Sequence, residues 1–394
     1  MNIAATNTHF RSLQREAIWL FIVSWLPMSF FVLFSYSDFV RWLLGCLPAF
    51  LWLVWQNWQL WRQLHTNHPP AGGELFPNLG LANWISSLRA PLLVYGWSLG
   101  MLRFQQANIP WLAYAVSGCL MGCWLLDNLD GWVARAMRRT TLLGQRLDGS
   151  MDATCIGLGS LLAWLWGQVG VWYLWVGLAK PLYDLGLWWH RRVGKLVLPL
   201  PPSDARRTQA GVQMAFISFI LLTPVWYPPA TLWASLAFAI PFLSGFLRDF
   251  AVVTGRMAWR FAPANGSLPN LPRWLSAIAF LTRIATVFLS LWLLRSSLGE
   301  PFPPNLFWAI VLGLLAILQL LGFATRLVAL CILVWVGIWT HGTLNAPLPY
   351  WAMLAHLLLL VASTYLGGGW LSAWSPEKGW LNLRAGETKP TGKR

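Results

Sequence analysis

Long apolar runs, repeated along almost the whole chain, limit what these 394 residues can fold into. Hydrophobic residues make up 57% of the sequence and charged residues only 10%, against roughly 25% charged in a soluble domain. Runs of about 20 apolar residues are long enough to cross a bilayer as helices, where every backbone polar group is satisfied within its own segment. Twelve such spans are predicted: 17–36, 40–62, 83–103, 109–136, 143–167, 170–190, 209–227, 231–255, 274–297, 304–322, 326–342 and 349–366. The expected fold class is all-α, a polytopic transmembrane helical bundle. The first sixteen residues are polar and no small-residue cleavage site follows the first apolar run, so that run is expected to stay as an anchor and not to be cleaved as a signal peptide.

The net charge of +15 has an arrangement that a nucleic-acid binder does not need. Of the 28 Lys and Arg, Arg41, Arg103 and Arg295 fall in one set of loops and Arg89, Lys180, Arg248 and Arg283 within spans. All the rest fall in the other set. That asymmetry follows the positive-inside rule. It predicts a multi-pass protein of a bacterial-type inner (cytoplasmic) membrane, with both termini and the Arg135–Arg146 connector on the cytoplasmic side and no nucleic-acid partner. The five cysteines (Cys46, Cys119, Cys123, Cys155, Cys331) all lie in apolar spans without a CxxC, which suits helix packing and not redox or zinc chemistry.

Four segments are expected. Residues 1–73 hold two spans and a linker. Trp52, Trp55, Trp58 and Trp61 recur every third residue in the second span and read as a lipid-facing, interfacial aromatic face. His65 and His68, three apart with no third ligand nearby, read as part of a solvated linker. Residues 74–258 hold six spans, closed by the turn-rich stretch 262–272. Residues 274–375 hold four more spans, and 376–394 form a basic cytoplasmic tail.

Asp127, Asp130, Asp148 and Asp152 give the middle segment its chemistry. The chain has only 13 acidic residues, and four of them fall in this short stretch between apolar helices. A carboxylate at membrane depth is costly unless it is paired or holds a cation. Asp127, Asp130, Gly131, Ala134 and Arg135 stand at i, i+3, i+4, i+7 and i+8, one stripe of a helix; Gly144, Asp148 and Asp152 stand at i, i+4 and i+8, one stripe of the next. Two facing helices would bring the four carboxylates together. With no His or Cys in the set, the all-oxygen donors suit Mg²⁺ or Mn²⁺, and four carboxylates are enough for two divalent cations. The small residues on the same stripes would let a flat group lie against backbone, and Arg135 can pair with phosphate. A transport or assembly protein with an intramembrane carboxylate cation site is the alternative of a different class. It explains the acids but not the two glycines, the alanine and the arginine.

The pattern Asp127-x2-Asp130-Gly131-x2-Ala134-Arg135-x8-Gly144-x3-Asp148-x3-Asp152 resembles the complete signature of the CDP-alcohol phosphatidyltransferases. Upstream, the segment Asn83 to Arg89 (NWISSLR) is similar to the Asn-x-x-Thr-x-x-Arg opening of that family's first helix, with Ser86 for Thr. Downstream, Arg206-Arg207-Thr208 and Gln213-Met214 loosely resemble its fifth-helix motif. The resemblance implies a six-helix, usually homodimeric fold with a cavity open to the cytosol. It implies two divalent cations on Asp127, Asp130, Asp148 and Asp152, and CDP bound by Asn83, Ser86, Gly131, Ala134, Arg135 and Gly144. It also implies that Asp152 is the base for the acceptor alcohol. The implied reaction moves a phosphatidyl group from CDP-diacylglycerol to an alcohol and releases CMP, a step of phospholipid biosynthesis.

A phosphorylated acceptor needs cations in the cavity. Lys180, Arg206, Arg207 and Arg248 are the candidates, which favours glycerol 3-phosphate; inositol or its phosphate, serine and an amino alcohol stay open. Lys180 can equally pair with Asp184 at i+4. Residues 279–375 resemble the DoxX-like membrane family, on Leu281-Thr282-Arg283-Ile284-Ala285, on the stretch Gln319 to Leu327 (QLLGFATRL) and on Gly367-Gly368-Gly369-Trp370-Leu371-Ser372. That part reads as a packing or partner-docking module. Arg283, inside a span, requires a polar partner that the sequence does not name.

Overall fold

The computed structural model describes residues 3–35, 39–103, 110–200, 204–223, 228, 230–256, 273–297, 306–329, 331–332, 350–367, 369 and 371–373. The stretch 262–272, most of the predicted span 326–342 and the tail 376–394 lie outside them. The described residues form eleven long helices and no β-strand. These are α1 (Ile3–Ser35), α2 (Phe39–Gln63), α3 (Leu81–Leu102), α4 (Pro110–Ala136), α5 (Leu142–Leu165), α6 (Leu174–Arg192), α7 (Asp204–Ile220), α8 (Ala230–Val253), α9 (Arg273–Ser297), α10 (Leu306–Leu321) and α11 (Tyr350–Leu366). Every predicted span except 326–342 falls on one of them. Among the described residues, two stretches are long and apolar enough to cross a membrane, Trp111–Ala136 in α4 and Thr231–Val253 in α8. Both carry exposed apolar side chains, including Trp111, Leu125 and Trp132 on α4 and Ile240 and Leu247 on α8.

The packing centres on α3. It lies against α4, α2, α5 and α1, and its apolar residues Leu93, Val94, Trp97 and Leu99 are buried. Helices α4 and α5 each pack on α7, α5 also packs on α6, and α8 closes the group against α6 and α7. Small residues set the closest approaches. A Cβ on Gly100 would come within 2.6 Å of Leu162, and one on Gly177 within 3.1 Å of the Gly157 backbone. Small residues at a helix contact let the two backbones approach closely. At the other end, α9 packs on α10 and α11, and α11 rests on α8 and α7. Arg283 is buried there beside the α10 exit turn, with its guanidinium 5.1 Å from the centre of the Phe280 ring. A side chain on Gly322, which is left-handed at φ 69°, would clash with it.

The N-terminal helices are more closely tied to the middle segment than the predicted linker suggests. Leu13, Ala17 and Leu20 of α1 form a buried cluster with Leu60, Leu64, Leu79 and, from α5, Leu143 and Leu147. Glu16 accepts hydrogen bonds from the Leu79 backbone N–H (2.9 Å) and the Trp84 indole (3.4 Å). The linker itself is partly buried, not wholly solvated. Asn67 is fully buried; it donates to the Asn78 carbonyl (2.8 Å) and accepts from the Asn83 side chain (3.2 Å). The Leu142 N–H donates to the His68 carbonyl (3.0 Å). A chain that crosses a packed surface has to find partners for its backbone groups, and here it finds them at the start of α5. His65 is exposed, and of the tryptophan row Trp55, Trp58 and Trp61 are exposed while Trp52 packs inward.

Candidate active site

The helical repeat places each acidic pair on one face, and the connector turns the two faces toward a common point. α4 ends with the Met137, Arg138 and Arg139 N–H groups bonded back to the Val133, Arg135 and Ala134 carbonyls. Arg138 takes the left-handed conformation (φ 52°) that glycine usually supplies at such an exit. The chain then reverses within five residues. Thr141 caps α5, its hydroxyl accepting from the Gly144 N–H at 2.9 Å, and satisfies one of the N–H groups a helix start leaves open.

Arg89, from α3, meets all four carboxylates. Its Nη1 lies 2.5 Å from Asp127 Oδ1 and 3.0 Å from Asp152 Oδ1; its Nη2 lies 2.8 Å from Asp148 Oδ1 and 3.7 Å from Asp130 Oδ2. The Arg89 side chain is 2% exposed, Asp130 7%, and Asp127, Asp148 and Asp152 between 20% and 32%. The exposures sort the set: three carboxylates face open space and one is withdrawn. Asp130 is the withdrawn one, and the Ser86 hydroxyl donates to it at 2.5 Å. Asp127, Asp148 and Asp152 each offer an oxygen within 4.8 Å of the others, a group that could hold a metal ion. Hard carboxylate oxygens at that spacing fit Mg²⁺ or Mn²⁺.

All four aspartates line a cavity of about 310 Å³ between α4, α5, α6, α7 and α8. Gly131 and Arg135 line it as well. Asn83, Ser86, Ala134 and Gly144, expected beside the nucleotide, are buried and do not line it. Gly144 instead makes room for a neighbour, since a Cβ there would come within 2.6 Å of Asn83 Oδ1 and 3.1 Å of Thr141 Oγ1. At Gly131 the added Cβ would meet only the end of the Arg135 side chain, at 3.2 Å. The two glycines therefore separate experimentally. Gly144→Ala is expected to lower stability by about 1–3 kcal/mol, the usual cost of overpacking. Gly131→Ala is expected to leave stability within about 0.5 kcal/mol, as substitutions away from tight packing do. Thermal unfolding of the two detergent-purified variants checks this, and equal melting temperatures would refute the distinction.

The far wall of the cavity carries Lys180 and Tyr183 from α6, Arg206 and Gln209 from α7, and Asp249 from α8. Lys180 is bound to both oxygens of Asp184 at 2.6 Å, the i+4 pair anticipated from spacing, while still reaching the cavity. Asp249, almost fully buried, takes Arg206 on one oxygen (3.0 Å) and Arg248 on the other (3.0 Å). Arg248 is thus directed to Asp249 and does not line the cavity. The Arg207 side chain lies outside the described residues. Sequence reasoning assigned no role to Arg89 or Asp249. The available signals were, for Arg89, its place as the arginine of the first-helix motif and a charge within an apolar helix, and for Asp249 its position in α8 directly after Arg248.

A carboxylate cluster that could hold a hard divalent cation shares one cavity with Lys180 and Arg206, a combination chemically suited to a phosphate-bearing ligand. Residues 79–241 match the family model described as CDP-alcohol phosphatidyltransferase, a family that transfers phosphatidyl groups. The matched stretch begins just before α3 and ends within α8, so it contains all four aspartates and Arg89. Comparison with curated proteins and with solved structures returned no match.

Proposed function

We propose that the chain transfers a phosphatidyl group from CDP-diacylglycerol to a small alcohol and releases CMP. The observation that carries this reading is the convergence of Asp127, Asp130, Asp148 and Asp152 on the wall of one cavity, inside the family-matched stretch. Asp127, Asp130, Asp148 and Asp152 would hold two divalent cations, Mg²⁺ or Mn²⁺, whose bound charge polarises the phosphoryl group and offsets charge on the leaving diphosphate oxygen. Gly131 leaves space beside the cluster, and Arg135 offers a guanidinium for the nucleotide phosphates. Asn83 and Ser86 act one layer back, through Gly144 and Asp130 respectively. Asp152 takes the proton from the acceptor hydroxyl. That oxygen forms a bond to the lipid-bearing phosphorus, the bond from this phosphorus to the bridging oxygen of CMP breaks, and CMP leaves.

For the acceptor we propose a phosphorylated polyol such as glycerol 3-phosphate. Arg206 and Lys180 support it, because they line the same cavity as the carboxylates and can meet a phosphate there while they hold Asp249 and Asp184. The full reading includes twelve spans, a bacterial-type inner membrane with both termini and the cavity on the cytoplasmic side, and a homodimer. It divides the chain at 1–73, 74–258, 274–375 and 376–394, with the DoxX-like part as a packing or partner-docking module. The test incubates purified full-length protein with CDP-diacylglycerol, Mn²⁺ and a panel of glycerol 3-phosphate, inositol, inositol phosphate, serine and ethanolamine. Metal-dependent CMP release with phosphatidylglycerophosphate as the product is expected. A product from another acceptor overturns the glycerol 3-phosphate assignment alone. Metal binding with no CMP release on any acceptor overturns the transferase reading and favours a cation-transport site.

A further inference from the structure

Arg89 and the cavity lie on opposite sides of the carboxylates. The four aspartates line the cavity, Arg89 does not, and Arg89 is 1% exposed. Its two terminal nitrogens take the Oδ1 atoms of Asp127, Asp148 and Asp152. Each of these carboxylates has a second oxygen and is itself partly exposed. Arg89 is also fixed at its base, where its backbone carbonyl faces the Cys123 thiol of α4 at 3.6 Å. A guanidinium keeps its charge at every working pH, and its planar fork can serve several carboxylates at once.

We propose that Arg89 is a permanent counter-cation of this cluster. As a positioning residue it holds the three Oδ1 atoms from behind and sets the net charge that the site presents to divalent cations and to the nucleotide diphosphate. The inference rests on the metal-site reading above. Four ionised carboxylates with Arg89 carry three net negative charges, and two divalent cations turn that into a single positive charge. Without Arg89 the empty cluster is more negative and the loaded one is neutral. Arg89 therefore weakens metal binding and strengthens binding of the anionic nucleotide to the loaded site. A role in packing alone would move both affinities in the same direction.

The test uses detergent-purified full-length protein without lipid substrate or acceptor. Mn²⁺ binding is followed by electron spin resonance of free Mn²⁺, and CDP binding by calorimetry at saturating Mn²⁺. In Arg89→Gln, Mn²⁺ is expected to bind at least about tenfold tighter and CDP at least about tenfold weaker, as loss of a unit charge this close to the ligand requires. Arg89→Lys, which keeps the charge, is expected to stay near wild type in both. Unchanged or weaker Mn²⁺ binding in Arg89→Gln overturns the proposal, and so does unchanged CDP binding. Should Arg89→Gln not fold without metal, purification in Mn²⁺ is expected to restore folding, because the bound cations supply the positive charge that the variant lacks. Folding restored by Mn²⁺ supports the charge role, and failure to fold with Mn²⁺ present overturns it. Absence of Mn²⁺ binding in the wild-type protein would instead remove the metal site on which the inference stands.

Discussion

Asp127→Asn, Asp130→Asn and Asp148→Asn are each expected to reduce transfer at least about a hundredfold, the scale on which lost charge stabilisation acts in a transition state. The protein should remain in the membrane in all three cases. Asp127 and Asp148 belong to the three-carboxylate group whose oxygens lie within 4.8 Å. An amide there removes one charge and one anionic ligand. Asp130 acts from a different place. It is the most buried of the four, it accepts from Ser86, and it approaches Arg89 at 3.7 Å. Its amide is therefore expected to lower metal affinity less than the other two do, while lowering turnover comparably. Initial rates of CMP release across a Mn²⁺ series measure both quantities. More than about a tenth of wild-type activity in any variant would be too small a loss for a metal ligand in a charge-stabilised transition state.

Asp152→Asn is expected to lose the chemical step and keep most CDP-lipid binding. Asp152 sits one turn beyond Asp148 on α5, lines the cavity and is 25% exposed at its side chain, so an acceptor hydroxyl can reach it. An amide cannot take the hydroxyl proton. The same carboxylate belongs to the candidate metal group, and the two roles separate by metal dependence. If Asp152 is the base, the Mn²⁺ concentration for half-maximal activity stays near that of the wild type and excess metal restores nothing. Restoration of activity by excess Mn²⁺ would overturn the base assignment and leave Asp152 as a ligand.

The sequence made the aspartate site legible because the helical repeat translates spacing into a face. With Asp127 and Asp130 three apart and Asp148 and Asp152 four apart, each pair shares one face of its helix, and the short connector turns the two faces together. The helix positions were legible for the same reason: apolar runs of bilayer length have few alternatives. The tight fit of Gly144 was not legible, because spacing says which face a small residue shares but not what fills the space beside it. That neighbour, Asn83, comes from a helix more than fifty residues earlier. Arg89 and Asp249 were missed on similar grounds. The value of each depends on partners brought in by other helices, and a single charge in an apolar run does not name them. The buried linker was hidden because its composition, rich in His, Pro and Gly, is that of any exposed connection; its ties to α3 and α5 come from Asn83 on Asn67 and Leu142 on His68.

The bond pattern around Asn67 also bears on the order in which the protein can be made. Asn67 and His68 are the anchor points for Asn83 and Leu142, and they lie on the N-terminal side of both. Translation runs at about 5–20 residues per second, and segments tend to fold in the order they emerge. The receiving surface for α5 is thus synthesised several seconds before Thr141 leaves the ribosome. The second acidic helix then packs against a surface already made, and its Leu143 and Leu147 have a waiting face in Leu13, Leu60 and Leu64. A chain beginning at residue 74 would have to assemble the same carboxylate cluster with no template for that helix.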